Sequence, residues 1–292
     1  MQYKYIKKEI ENLELNKYKI KDGKNMDLKR ISSGIIVTLA IVAILLIPSN
    51  LITGIIFALI AIMAMHEYIN ALSKICKPIK WIAYLSCIIV GVIDFIPETY
   101  LLKILLISIP STLLLLFAQV IATDMKTTFK DVAYTFLGIC YIPVFIMFLS
   151  LIDGMENGKI FLGYVFLASS GTDVFAYFMG CKFGKHKFSK VSPKKSIEGC
   201  IAGTLGAMIV ILLTTLILNN CFSFNYSYLT IGIYGIVLSL IGQLGDFSAS
   251  AIKRYVDIKD YGTLLPGHGG ILDRIDSILF IAPFAYILFT MI

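Results

Sequence analysis

Residues 245–276 read GDFSASAIKRYVDIKDYGTLLPGHGGILDRID. The stretch holds five acidic residues (Asp246, Asp257, Asp260, Asp273, Asp276) and five basic ones (Lys253, Arg254, Lys259, His268, Arg274). Apolar runs lie on both sides of it, at about 228–249 and 271–292. Ionisable groups at the mouth of a bilayer are expensive to place and mark functional sites. The charged insert and its apolar flanks therefore have to be read together.

The rest of the chain has the character of those flanks. Its 292 residues are 58% hydrophobic and 15% charged, with a mean hydropathy of +0.82, whereas soluble domains carry about 25% charged residues. Further apolar runs fall at roughly 33–48, 51–72, 81–97, 101–121, 133–152, 160–180 and 200–218. Most approach the ~20 residues of a spanning helix. The expected fold is an all-α polytopic membrane protein of about nine transmembrane helices. Residues 1–31 read as a Lys-rich cytoplasmic tail, 32–152 as the N-terminal transmembrane helices, and 153–292 as a C-terminal catalytic transmembrane region. The first run is short, and Pro48-Ser49-Asn50 turns it tightly into the second. Pro110 and Pro143 lie inside spans and predict kinks.

The net charge of +7 concentrates in 1–30, 181–195 and 253–274. With the tail in the cytoplasm and nine crossings, the basic loops 73–80, 122–132, 181–199 and 250–270 all fall on the cytoplasmic face. Basic residues that alternate with spans contact anionic lipid, which argues against nucleic-acid binding. The amino terminus is charged and lacks an early apolar run, so no cleavable signal peptide is expected. The six cysteines have no paired spacing and read as core residues rather than disulfide or zinc ligands.

Three groups of polar residues stand out. Asp173 lies deep in an apolar run with Ser169, Ser170 and Thr172 beside it and Tyr177 one turn on; a helix-packing patch is the plainer alternative to a site. The loop GCKFGKHKFSKVSPKKSIEG holds six lysines, and its Ser192–Glu198 piece resembles a capped helix start that aims Lys194 and Lys195 at one place, as polyphosphate or a lipid phosphate requires. In the third group, Asp246, Ser250, Lys253 and Arg254 fall on one helix face, and Gly242 and Gly245 thin that helix for a close neighbour. The run Pro266-Gly267-His268-Gly269-Gly270 is a turn, and Asp273 and Asp276 open the last helix. Asp246 and Asp273, brought together beside basic residues, suit Mg²⁺ holding phosphate oxygens. His66-Glu67 begins like a zinc-protease motif, but Asn70 stands where the second ligand belongs. That pair reads as a cap on the cytoplasmic end of the second span. Asp94, near Pro97, reads as interfacial.

From Ser250 to Asp276 the pattern S-x-x-K-R, four residues, K-D-x-G-x-x-L-P-x-H-G-G-x-x-D-R-x-D resembles the signature of the phosphatidate cytidylyltransferases, or CDP-diacylglycerol synthases. Gly245-Asp246, Asp173 with Ala176-Tyr177, and the FGKHKFS…SPKKSIEG run resemble the same family. The likeness is strong over about 160–292; the first half matches only in being apolar and multi-span. It implies transfer of CMP from CTP to phosphatidic acid, with Asp246 and Asp273 as ligands of a two-metal centre of Mg²⁺ and K⁺. It also implies a homodimer, which nothing in these residues demands. Many members carry Glu where this chain has Ala249.

On that reading Asp246, Asp273, Lys253, Arg254 and His268 are the catalytic candidates. Ser192, Lys194, Lys195, Ser250, Gly269 and Gly270 are expected around the substrates, and Asp173, Lys259, Asp260, Arg274 and Asp276 are expected to orient the site. An integral membrane protein with its site at the cytoplasmic face, in a bacterial-type inner membrane, follows. The alternatives are a CTP-using polyprenol kinase, which would release CDP, and a cation-coupled transporter, which would consume no CTP.

Overall fold

A computed structural model of the chain describes residues 34–93, 96, 98–189, 191–193, 195–264 and 269–292. The tail 1–31, Asp94, Lys194 and His268 lie outside the described residues. The described elements are α1 (Gly34–Leu46), α2 (Asn50–Leu72), α3 (Lys80–Val90), α4 (Glu98–Ala122), α5 (Phe129–Tyr141), α6 (Pro143–Asp153), α7 (Gly158–Phe183), α8 (Ile197–Phe222), α9 (Tyr228–Tyr255) and α10 (Leu272–Phe289). Outside the helices, Lys187 and Ser196 form an antiparallel bridge.

Among the described residues the nine apolar runs correspond to ten helices, because one run is interrupted. Pro143 has no N–H to continue the ladder of α5, so the chain re-enters a helix with Pro143 as its first residue. Pro110 lies within α4, which continues past it. Among the described residues five spans are long and apolar enough to cross a membrane: α2, α5 with α6, α7, α8 and α9. α1 and α3 are shorter. α10 has 18 residues, and Asp273, Arg274 and Asp276 charge its opening turns. The cysteines are more varied than a core reading predicts: Cys87 is buried, but Cys181 and Cys221 are exposed, because each lies at the last turns of a helix whose outer face nothing in the bundle covers.

Contacts between elements separate the bundle into two ends. At one end the backbone N–H of Lys77, before α3, donates to Asp131 at the start of α5 at 2.6 Å. Glu67, late in α2, accepts from the first turn of α10, and Lys195, before α8, pairs with Asp246 late in α9. At the other end Asp153, closing α6, pairs with Lys159 of α7 and takes the Thr53 hydroxyl of α2. There too, Asn219 of α8 hydrogen-bonds Tyr226 before α9. Successive spans, α5 and α6 counted as one, thus alternate in direction, and the basic loops gather at the first end. Packing runs across residue 152, since both α2 and α6 lie against α10.

Small residues set the closest approaches. A Cβ on Gly203 of α8 would stand 2.8 Å from the Thr172 carbonyl oxygen of α7. Between α9 and α10, a Cβ on Gly245 would stand 2.8 Å from the Asp276 carbonyl oxygen. Where lipid offers no hydrophobic force between helices, such approaches are a main source of association. Replacement Gly203→Val forces α7 and α8 apart and is expected to destabilise the protein by about 1–3 kcal/mol, read as a lower melting temperature in detergent.

Candidate functional site

Asp273 is the second residue of α10, and its carboxylate is held from three directions. Oδ2 accepts the backbone N–H groups of Tyr261 at 2.8 Å and Gly270 at 2.9 Å, and Oδ1 accepts Lys253 Nζ from α9 at 2.7 Å. The side chain is 3% exposed, which a carboxylate tolerates only when its lone pairs are matched. The turn that delivers the Gly270 N–H needs a left-handed residue, and Gly269 supplies it at φ +83°. The Lys253 ammonium also lies 5.4 Å from the centre of the Tyr261 ring. Burial, with Tyr68 and Asp273 nearby, pushes the Tyr261 phenol above its ordinary value. It therefore stays a neutral donor to the Ala249 carbonyl at 3.2 Å.

Asp246 is met by the lysine loop. The described residues of 184–196 fold back as a short hairpin: the Phe188 N–H donates to the Lys195 carbonyl at 3.1 Å and the Ile197 N–H to the His186 carbonyl at 3.0 Å. Ser196 caps α8 by accepting the Gly199 N–H. Glu198, in the first turn, accepts the backbone N–H groups of Lys185 and His186 and pairs with His186 Nδ1. Phe188 stacks on Phe247 of α9 with centroids 4.6 Å apart. Docked in this way, the loop brings Lys195 Nζ over the Phe247 ring at 4.7 Å and onto Asp246 Oδ2.

Two further carboxylates face the same recess. Asp173 of α7 is in Coulombic reach of Lys195, Asp246 and Arg274. Asp276 of α10 is in reach of Asp246, Lys253 and Asp173, and its Oδ1 accepts the Ser277 N–H at 2.8 Å. Asp173 is exposed to solvent. Its polar neighbours do something else. Ser169 bonds Ser277 of α10, Thr172 bonds Ser239 of α9, and Ser170 returns to the Phe166 carbonyl. The hydroxyls of the patch thus pack helices together, while its carboxylate is left in Coulombic reach of Lys195, Asp246 and Arg274. Tyr177 is exposed against Phe178.

The expected residues therefore divide. Asp173, Lys195, Asp246, Lys253, Asp273, Arg274 and Asp276 converge, with Gly269 and Gly270 shaping the turn and Asp260 beside Gly269. Ser250 is half-buried on α9, and Ser192 shapes the hairpin by accepting the Lys195 N–H. Arg254 lies in α9 as expected, but its side chain is exposed and donates to the Ile258 carbonyl at 3.3 Å, in the loop that follows the helix. Lys259 is exposed on the loop. Lys194 and His268 lie outside the described residues.

Glu67 is the residue that sequence reasoning misplaced. It does not cap the end of α2. Its carboxylate accepts the Ile271 N–H at 3.0 Å and the Leu272 N–H at 2.8 Å, capping α10, where unpaired donors and the helix dipole favour an anion. Gly262 and Gly270 pack so closely on this carboxylate that neither has room for a Cβ. The available signal was a lone acid within an apolar run. Its neighbour His66 instead meets the Tyr84 hydroxyl at 2.9 Å. At the position where the resemblance leads one to expect Glu, Ala249 is fully buried.

An all-carboxylate donor set suits a hard divalent cation. Among the described residues no three His, Cys, Asp or Glu side chains form a ready-made cage, so such an ion would complete its shell with water and substrate oxygens, as Mg²⁺ prefers. Oδ2 of Asp273 is taken by two N–H groups, which leaves Oδ1 as the oxygen to exchange its lysine for a cation. The residues fit the ion.

Residues 28–292 match the cytidylyltransferase family. The phosphatidate cytidylyltransferase of Thermotoga maritima is 38% identical over 178 residues, 59% of this chain and 64% of that protein. That of Bacillus subtilis is 37% identical over 177 residues, 60% of this chain and 64% of that protein. That of Staphylococcus haemolyticus is 32% identical over 258 residues, 85% of this chain and 96% of that protein. The alignment thus spans just under two thirds of the Thermotoga and Bacillus proteins and nearly all of the staphylococcal one.

Replacement Glu67→Ala strips two buried N–H groups of their acceptor and is expected to cost about 1–3 kcal/mol, with Glu67→Gln costing less because one carbonyl oxygen remains. Gly269→Ala, forced to a left-handed φ, is expected to cost about 1–2 kcal/mol. Melting curves of the purified variants check both orders.

Proposed function

The chain belongs to the cytidylyltransferase family, and on that premise we propose that it transfers CMP from CTP to phosphatidic acid, giving CDP-diacylglycerol and pyrophosphate for phospholipid biosynthesis. One observation carries the reading to this chain: two Asp–Lys pairs, Asp246–Lys195 and Asp273–Lys253, are held from three chain segments, the loop before α8, α9 and α10, at one end of an apolar bundle. A water-soluble polyanion and a membrane lipid can meet only at such a boundary.

The chemistry follows from charge. A phosphate monoester is largely a dianion at neutral pH, its second pKa being about 6, so the phosphatidic acid oxygen needs no strong base before it attacks the α-phosphorus of CTP. One P–O bond forms to the lipid phosphate and one breaks to pyrophosphate. The obstacle is the mutual repulsion of two polyanions, so catalysis rests on positioning and on fixed positive charge. Lys195 and Lys253 hold aspartates here and have flexible stems that let each ammonium move to a phosphate oxygen. Phe247 and Tyr261 lie beneath those ammoniums and limit their wandering. Arg274 and the backbone around Gly269 complete the recess. Asp246 and Asp273 would hold Mg²⁺, with K⁺ as a second ion, and the metal supplies charge neutralisation of the triphosphate when bound.

The reading extends to topology. Nine crossings, with the Lys-rich tail and the site at the cytoplasmic face of a bacterial-type inner membrane, are supported by the alternation of helix direction and by the basic loops sharing the site's end. A homodimer is carried from the family resemblance. The ionisable groups crowd one end rather than lining a path through the bundle, which favours the enzyme over a cation-coupled transporter.

Replacements Asp246→Asn and Asp273→Asn are each expected to lower kcat at least about 100-fold while the protein still inserts and melts cooperatively. The check is a detergent assay with CTP, phosphatidic acid and Mg²⁺ that follows CDP-diacylglycerol and pyrophosphate. Near-normal turnover in either variant would remove its metal role, and release of CDP in place of pyrophosphate would identify a kinase. Chelation by EDTA is expected to stop the reaction, with Mg²⁺ restoring it.

A further inference from the structure

A cavity of about 240 Å³ lies beside the site, and its walls are almost entirely apolar. One wall is α1, where Ile36, Val37, Ala40, Ile41 and Ile44 fall on a single helical face. The opposite wall is α10, where Ile271, Ile275, Ile278 and Leu279 do the same. Phe57 of α2, Leu149 of α6 and Phe166 of α7 line the rest. The one charged residue in the lining is Arg274, at the end of α10 that opens on the site. It stands next in sequence to Asp273 and in Coulombic reach of Asp173.

The dimensions select an occupant. From Ile271 to Leu279 the helix advances about 12 Å at 1.5 Å per residue. One leaflet contributes about 15 Å of hydrocarbon, half of the ~30 Å core. The cavity therefore runs from the charged boundary toward the middle of the membrane over about the depth of one leaflet. A nucleotide would leave its polar groups unmatched against these walls, whereas a hydrocarbon chain matches them.

Resting on the reaction proposed above, we propose that this cavity receives one acyl chain of phosphatidic acid, with Arg274 at its mouth meeting the lipid phosphate. α1 then serves as a wall of the lipid site, which gives the N-terminal region a part in substrate selection. A chain buried between α1 and α10 is held in register with α10, so the attached phosphate lies beside Asp273 and Lys253.

The test uses the full-length protein in nanodiscs and two photoreactive lipids, phosphatidic acid and phosphatidylcholine, each with a diazirine near the end of one acyl chain. Irradiation is expected to label peptides of α1 and α10 with the phosphatidic acid probe and to do so much less with the phosphatidylcholine probe. Equal labelling by both would overturn the role given to Arg274, and labelling confined to other helices would overturn the cavity as a lipid site. Kinetics supply the second arm. Ala40→Phe fills the cavity from α1 and is expected to raise KM for dioleoyl phosphatidic acid about tenfold relative to the dihexanoyl lipid, with KM for CTP unmoved. Leu39→Phe, whose side chain is exposed and outside the lining, is expected to change neither. An Ala40→Phe enzyme with wild-type KM for both lipids would sink the proposal. If the wild-type protein makes no CDP-diacylglycerol yet selective labelling persists, the reaction falls and the lipid site stands.

Discussion

A carboxylate inside an apolar bundle is stable only where donors meet it, and Asp273 shows what that requirement does to a whole fold. Its two oxygens draw a backbone N–H from Tyr261, another from Gly270, and the Lys253 ammonium. To supply them, the loop after α9 must return across the start of α10, Gly269 must take a left-handed conformation, and α9 must lie close enough for a lysine to reach. Gly242 and Gly245 permit that closeness by leaving out side chains that would strike Ile281 and the Asp276 backbone. The glycines, the loop and the helix pair therefore answer to one buried anion.

Glu67 extends the same logic to the first half of the chain. The start of α10 has N–H groups that no helical carbonyl can satisfy, and in lipid no water compensates. A carboxylate from α2 takes two of them. The helix that carries Asp273, Arg274 and Asp276 is thereby fixed to a helix about two hundred residues earlier. α1 and α6 enclose the apolar cavity against the same helix. The N-terminal helices are thus parts of the site's frame as well as membrane anchors.

The lysines tie the frame to function. Lys195 and Lys253 neutralise Asp246 and Asp273 while each rests over an aromatic ring. An ammonium so held costs little to move toward a phosphate, because it exchanges one anion for another at the same boundary. A stiff guanidinium paired bidentate would resist that exchange. Arg254, the arginine expected on this face of α9, is exposed and donates to the Ile258 carbonyl in the loop beyond the helix. Anchored carboxylates beside ammoniums on flexible stems suit the proposed reaction, in which both substrates are anions.

Composition, the lengths of the apolar runs and the side on which basic loops fall were enough to determine a helical membrane protein with a charged end, because burial of backbone in lipid leaves few alternatives. The spacing from Gly245 to Asp276 was enough to bring out Asp246, Lys253 and Asp273, because residues that share a turn or a helix face have their proximity set by local geometry. Pro143 predicted a kink, and only packing decided that it would be a full break between α5 and α6. The partners of those residues were decided in three dimensions. That Lys195 reaches Asp246, that Asp173 and Asp276 share its recess, and that Arg254 does not depends on how α7, α8, α9 and α10 pack. Glu67 makes the point most sharply: from its neighbours in sequence it reads as a cap for its own helix, and it caps α10 because the unpaired N–H groups there, far along the chain, are the ones that tertiary packing brings within its reach.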